Sequence, residues 1–192
     1  MVLSSAVFVL AAWMLNPLCF ALSPVALAIV LGYSYTKRLT SASHLVLGLA
    51  LAVAPMGAWL AVRGRFDLVP AVLALAVLLW VAGFDTIYAC QDVDFDRGEG
   101  LHSLPARVGV ARALELARGM HVLAVLLLLS LYWLASLHPL YLAGVAGVAG
   151  LLAWEHSLVR ADDLSRVMQA FNLNGWVSLG YFVLTAVAAG QG

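Results

Sequence analysis

The chain has 192 residues, 64% of them hydrophobic and only 10% charged, and its mean hydropathy is +1.00. Soluble domains carry about 25% charged residues, so the composition excludes one and predicts an all-α, multi-pass transmembrane helix bundle in contact with the lipid bilayer. A formal net charge of +0 with no basic patch argues against a nucleic-acid partner, and nothing in the sequence calls for an obligate protein partner.

Seven apolar segments follow in order, each near the roughly 20 residues that a span requires. They run over about 1–15, 18–35, 43–62, 68–91, 111–134, 138–159 and 170–190. Asn16-Pro17 ends the first and shortest of them, and Pro55 predicts a kink in the third. The first segment begins at residue 1 with no basic region before it, unlike a signal peptide. Cys19 and Cys90 both fall in apolar spans and read as small buried hydrophobes rather than a disulfide. No Cys/His cluster has zinc spacing. Gly144, Gly147 and Gly150 form a ridge of small residues that predicts close helix packing.

Eight of the ten Lys/Arg residues fall in alternate connections: Lys37, Arg38, Arg97, Arg107, Arg112, Arg118, Arg160 and Arg166. Arg63 and Arg65 are on the other side. The positive-inside rule then places residue 1 and the larger basic set in the cytoplasm, and the C-terminus outside.

The stretch Phe84–Gly109 holds five of the ten acidic residues: Asp85, Asp92, Asp94, Asp96 and Glu99. If the fourth helix continues through Asp96, then Asp85, Asp92 and Asp96 fall within roughly 40° of one another, beside Tyr88, and Asp94 points away. Gly98 and Gly100 supply the stop. Asp94 and Glu99 read as solvated, but Asp85 lies well inside a span, where a charge is costly and functional. Like charges on one face call for a cation, and an all-oxygen ligand set favours Mg²⁺, which usually brings phosphate with it. At the end of the second helix Tyr33 and Lys37 share a face, with Arg38 next in sequence. An aromatic belt with a basic flank would look the same. Its position on the same side as the acidic stretch makes Lys37 and Arg38 candidates for binding diphosphate.

Phe84-Asp85-Thr86-Ile87-Tyr88 followed by Asp92-x-x-x-Asp96 resembles the second aspartate-rich motif of the UbiA superfamily of intramembrane aromatic prenyltransferases. Tyr33-x-x-x-Lys37-Arg38 resembles that family's Tyr-x-x-x-Lys motif, and Asn174 resembles a polar residue early in its last helix. The resemblance implies nine transmembrane helices around a central cavity, of which the seven here are the third to the ninth. The family's first motif, Asn-Asp-x-x-Asp-x-x-x-Asp, has no counterpart. Residues 1–192 are therefore expected to be a single domain lacking the first two helices, inactive or nearly so on its own.

The activity implied is transfer of a polyprenyl group from polyprenyl diphosphate to an aromatic acid in quinone biosynthesis, in a bacterial or archaeal plasma membrane. Asp92 and Asp96 would ligate Mg²⁺, with Asp85 as a further ligand or its support. Lys37 and Arg38 would neutralise the diphosphate, and Tyr33 and Tyr88 would orient the substrate or stabilise its cation. Members acting on 4-hydroxybenzoate often have Lys where this chain has His102. The surrounding run is more like a branch that carries the 4-hydroxybenzoate name but is partly associated with futalosine-derived menaquinone. Dihydroxynaphthoate is therefore the alternative acceptor. Two other classes use similar features. A CDP-alcohol phosphotransferase would need an Asp-Gly-x-x-Ala-Arg run, which this sequence lacks. A membrane transporter or scaffold would need only a solvated acidic loop.

Overall fold

The computed structural model describes residues 1–191. Seven long helices dominate it: α1 (Val2–Leu15), α2 (Pro17–Thr36), α3 (Ser43–Arg63), α4 (Leu68–Ala89), α7 (Val110–Leu134), α8 (Leu140–Leu158) and α9 (Val167–Ala189). Two short helices, α5 (Val93–Gly98) and α6 (Leu104–Val108), lie between α4 and α7. The expected segments are all present, with ends shifted by at most three residues. Five of the long helices, with α4 taken on through Gly98, are long and apolar enough to cross a membrane. The other two fall short for local reasons. The 14 residues of α1 extend only about 21 Å at 1.5 Å per residue, and α8 carries Glu155 and His156 near its end.

The breaks follow from side-chain chemistry. Asn16 stops α1 and caps α2 by accepting from the Cys19 N–H at 2.9 Å, and its amide donates to the Leu60 carbonyl at 2.8 Å, pinning the break to the end of α3. Gly64, at φ 64°, closes α3 with its N–H on the Leu60 carbonyl, a left-handed cap that suits glycine. Pro55 lies inside α3 without interrupting it.

The hub is α4, which packs against α3, α7 and α9, while α8 pairs with α9. One apolar cluster centres on Ile87, Ala113, Ala117 and Leu173; the second centres on Leu128, Tyr141, Val145 and Leu152. The periphery contrasts with this core: α1 buries only Ala12 and α2 only Ser23. Both cysteines are free.

The glycine ridge does not form as expected. Gly144 faces α9, where an added Cβ would stand 3.2 Å from that of Leu184, but at Gly147 and Gly150 it would meet nothing within 4 Å. Steps of three residues rotate by about 300°, so a ridge spaced this way drifts off any one face. The closest helix approaches are elsewhere. A Cβ on Gly48 would run into the Leu78 carbonyl, and one on Gly83 into the His121 ring. These two glycines bring α3 and α7 tight against α4.

Candidate active site

The helix ends that carry the larger basic set meet the acidic stretch at one rim of the bundle. There α4 does not continue smoothly: Cys90–Asp92 form a 3₁₀ turn before α5 starts. That turn advances about 120° per residue rather than 100°, so the projected stripe of Asp85, Asp92 and Asp96 is broken. The three carboxylates take separate environments. Asp96 is fully buried and pairs with Lys37, whose Nζ is 2.8 Å from Oδ1. The second carboxylate oxygen, Oδ2, has no partner among the described residues. Asp85 is partly exposed, and its Oδ2 lies 2.5 Å from His44 Nδ1. Asp92 is half-buried at the end of the turn, and Asp94 and Glu99 are exposed.

The segment after α5 is laced to the α2–α3 connection. The His102 N–H donates to the Lys37 carbonyl at 2.7 Å, the Leu104 N–H to His44 Nε2 at 3.3 Å, and Arg107 Nη1 to Ser41 Oγ at 2.9 Å. Ser103 is buried and caps α6 by accepting from the Ala106 N–H. A crevice of about 510 Å³ between these two connections is lined by Arg97, His102, Arg107, Ser41 and Thr40. Arg38 and His102 are exposed, and Tyr33 is 37% exposed on the last turns of α2.

Below the rim lies an aromatic wall. Tyr88 and Phe84 both pack on Phe171 of α9, at centroid distances of 5.0 and 5.6 Å, and Phe84 makes an edge contact with Trp80. Asn174 is one turn along from Phe171. Its Oδ1 accepts from Trp80 Nε1 at 2.7 Å, and its amide donates to Glu155 Oε1 and to the Phe171 carbonyl at 3.1 and 3.2 Å. With those bonds made and only 7% of its surface exposed, Asn174 is tied to the aromatic wall through Trp80 and the Phe171 carbonyl. A separate apolar crevice of about 670 Å³ runs between α1, α2, α3 and α4, past Ala12, Ser23, Ala26, Leu49, Val53 and Leu78.

Sequence reasoning missed His44, Trp80 and Glu155. His44 stands 41 residues from Asp85, and no spacing rule links them. Glu155 could have been noticed as a charge inside a span, the criterion that singled out Asp85.

The model of the UbiA prenyltransferase family matches residues 1–180. The chain belongs to the UbiA prenyltransferase family. The 4-hydroxybenzoate octaprenyltransferase of Sodalis glossinidius is 35% identical over 170 residues, which cover 88% of this chain and 58% of that protein. The one from Xanthomonas euvesicatoria is 35% identical over 175 residues, covering 91% and 58%. The apo structure of a UbiA homolog from Aeropyrum pernix K1 superposes with a TM-score of 0.87 at 36% identity, covering 95% of this chain and 68% of that one. The chain thus spans somewhat more than half the length of these curated relatives. Family membership and the apolar spans make it an integral membrane protein with the UbiA-type all-helical fold.

Whether the rim suits a cation rests on its own donors. Among the described residues no three His, Cys, Asp or Glu side chains are gathered as a metal site. A buried carboxylate with spare lone pairs, such as that of Asp96, nonetheless suits a hard cation.

Proposed function

We propose that this chain binds a polyprenyl diphosphate at the Lys37–Asp96 rim and provides one wall of a site that transfers the prenyl group to an aromatic acid, 4-hydroxybenzoate. The ion pair carries the proposal. A cation suited to a diphosphate and an anion suited to Mg²⁺ stand side by side there, at the mouth of an apolar bundle, and this supports the reading. The names of the relatives supply the substrate class.

Lys37 and Arg38 hold the diphosphate, and the apolar crevice along α2, α3 and α4 takes the isoprenoid tail. Asp92 and Asp96 would hold Mg²⁺, with Asp85 as a further ligand or its support, and the ion would neutralise charge on the departing diphosphate. Tyr33, together with Tyr88 in its aromatic wall, faces cationic character on the allylic carbon with π density. The wall also excludes water from that carbon. His102, exposed beside Arg97 and Arg107, contributes to the acceptor's carboxylate. The basic rim faces the cytoplasm, where diphosphate esters are made. A cysteine placed at exposed Glu99 would then be protected from an impermeant thiol reagent added outside intact cells.

The test measures Mg²⁺-dependent binding of farnesyl diphosphate to the purified chain. It then assays prenyl transfer to 4-hydroxybenzoate and to dihydroxynaphthoate by a relative with the same rim residues. Saturable binding that requires Mg²⁺ and is lost in Lys37→Ala is the expected result. Binding indifferent to both would overturn the proposal, and turnover of dihydroxynaphthoate alone would change the acceptor.

A further inference from the structure

His44 is the second residue of α3 and 4% exposed, yet among the described residues it is the side chain that hydrogen-bonds both Asp85 of α4 and the backbone that follows α5. Its two ring nitrogens have different partners. The Leu104 N–H, 3.3 Å from Nε2, is a backbone amide and can only donate. So Nε2 presents its lone pair, which excludes the imidazolium. A neutral ring carries one proton, which must then sit on Nδ1, 2.5 Å from Asp85 Oδ2. A protonated Asp85 donating to Nδ1 would force the ring proton onto Nε2, against the Leu104 N–H. The arrangement therefore has one consistent assignment. Leu104 N–H donates to Nε2, and Nδ1–H donates to an ionised Asp85.

We infer that His44 is a positioning residue of this site: its Nδ1–H fixes the Asp85 carboxylate on α4 while its Nε2 anchors residues 102–104 over the rim. This rests on the reading of Asp85 as part of the diphosphate and metal site. A carboxylate on a free rotor presents either oxygen in any orientation. One held through Oδ2 presents Oδ1 in a set direction, and outer hydrogen bonds of this kind are worth about 10–100-fold in metal affinity. The same segment reaches the other half of the rim. The His102 N–H, two residues before that of Leu104, bonds the carbonyl of Lys37, whose ammonium pairs with Asp96. Residues 102–104 thus strap both acid–base pairs to one short stretch of backbone.

The amide of Asn puts a donor where Nδ1 stands, and that of Gln puts its polar atoms where Nε2 stands. His44→Asn, His44→Gln and His44→Ala are made in the 192-residue chain, beside Asp85→Asn, Asp96→Asn and Lys37→Ala. Three quantities are measured in detergent: ¹⁵N shifts of the histidine rings, amide exchange at Leu104, and Mg²⁺-dependent affinity for farnesyl diphosphate. The parent should show a neutral ring with its proton on Nδ1 that vanishes in His44→Asn. Affinity should fall about tenfold or more in His44→Gln and His44→Ala but stay within about threefold in His44→Asn. Amide exchange at Leu104 should quicken in His44→Asn and His44→Ala but not in His44→Gln. A purely structural histidine would instead make affinity follow Leu104 protection, so that Gln rescues and Asn does not. That result, or a ring protonated on Nε2, overturns the inference. The Asn and Gln variants keep it decidable if His44→Ala does not fold. If Asp85→Asn, Asp96→Asn and Lys37→Ala all bind like the parent, the reading of the site falls and takes the positioning role with it. If they lose binding and all three His44 variants keep it, only the role of His44 falls.

Discussion

Polar side chains are built into this bundle in two places, and the two are satisfied differently. At the rim, Asp96 faces an ammonium from α2 and Asp85 an imidazole from α3, each across a helix boundary and next to exposed backbone connections. In the interior, Glu155 is fully buried and makes no salt bridge among the described residues. Its Oε1 takes an amide proton from Asn174, whose Oδ1 takes the Trp80 indole proton, while Oε2 has no partner. The Trp80 carbonyl in turn accepts from His121 Nε2–H, which leaves Nδ1 of that ring to accept from His156 Nε2–H at 3.0 Å. This chain of hydrogen bonds ties α4, α7, α8 and α9 together. The rim holds paired charges that a charged ligand can separate. The knot holds buried hydrogen bonds between helices, and such a network specifies one packing of four otherwise similar helices.

The comparison breaks first at Asp96. Asp96→Asn removes the anion and should weaken Mg²⁺-dependent farnesyl diphosphate binding by about 100-fold, as measured by titration calorimetry in detergent. The melting temperature should change by only a few degrees. A large loss of stability with unchanged affinity would make Asp96 a structural residue like those of the knot. The next largest effect is expected at Asn174. Asn174→Ala strands the Trp80 indole N–H and Glu155 Oε1, at a cost of about 1–3 kcal/mol for a buried group left unpaired. Reversible unfolding in mixed micelles should report that loss. Affinity should fall only as far as the Trp80–Phe84–Phe171 wall loosens. Glu155→Gln keeps the acceptor for Asn174 and replaces the unpartnered Oε2 with an amide group of the same size, so the stability change should lie within about 1 kcal/mol in either direction. A loss beyond about 3 kcal/mol would mean that the carboxylate itself is paired. The smallest effect is expected at Gly147, which faces open space on α8. Gly147→Ala should be neutral or stabilise by up to about 1 kcal/mol through helix propensity. The same substitution at Gly83 should destabilise measurably, because the new methyl group meets His121.

The seven long helices could be read from the sequence to within three residues at each end, because lipid demands long apolar runs and Asn16-Pro17 and the charged connections interrupt them. Lys37 and Asp96 could be chosen as candidates because charges at span ends and inside spans are few. Their ion pair could not be foreseen. The 3₁₀ turn at Cys90–Asp92, which sets the direction of Asp96, leaves no mark in composition or periodicity. The glycines misled for a related reason. Spacing showed three in a row on α8, but whether a glycine is a contact depends on which face the neighbouring helix covers, and the tight approaches are at Gly48 and Gly83.

Taken alone, the sequence determined that this is a membrane-spanning helical bundle, where its helices begin and end, and which rim gathers the acidic and basic residues. These properties follow from local chemistry, the transfer of apolar side chains into lipid and the few places that tolerate charge. Only the tertiary structure decided that Lys37 meets Asp96, that His44 links Asp85 to Leu104, and that Glu155 is satisfied through Asn174 and Trp80. Those pairings join residues up to 94 positions apart, and they depend on how far each helix is rotated about its own axis when packed. In a bundle whose surfaces are nearly all apolar, that rotation is set by the few polar contacts and close glycine approaches that packing creates.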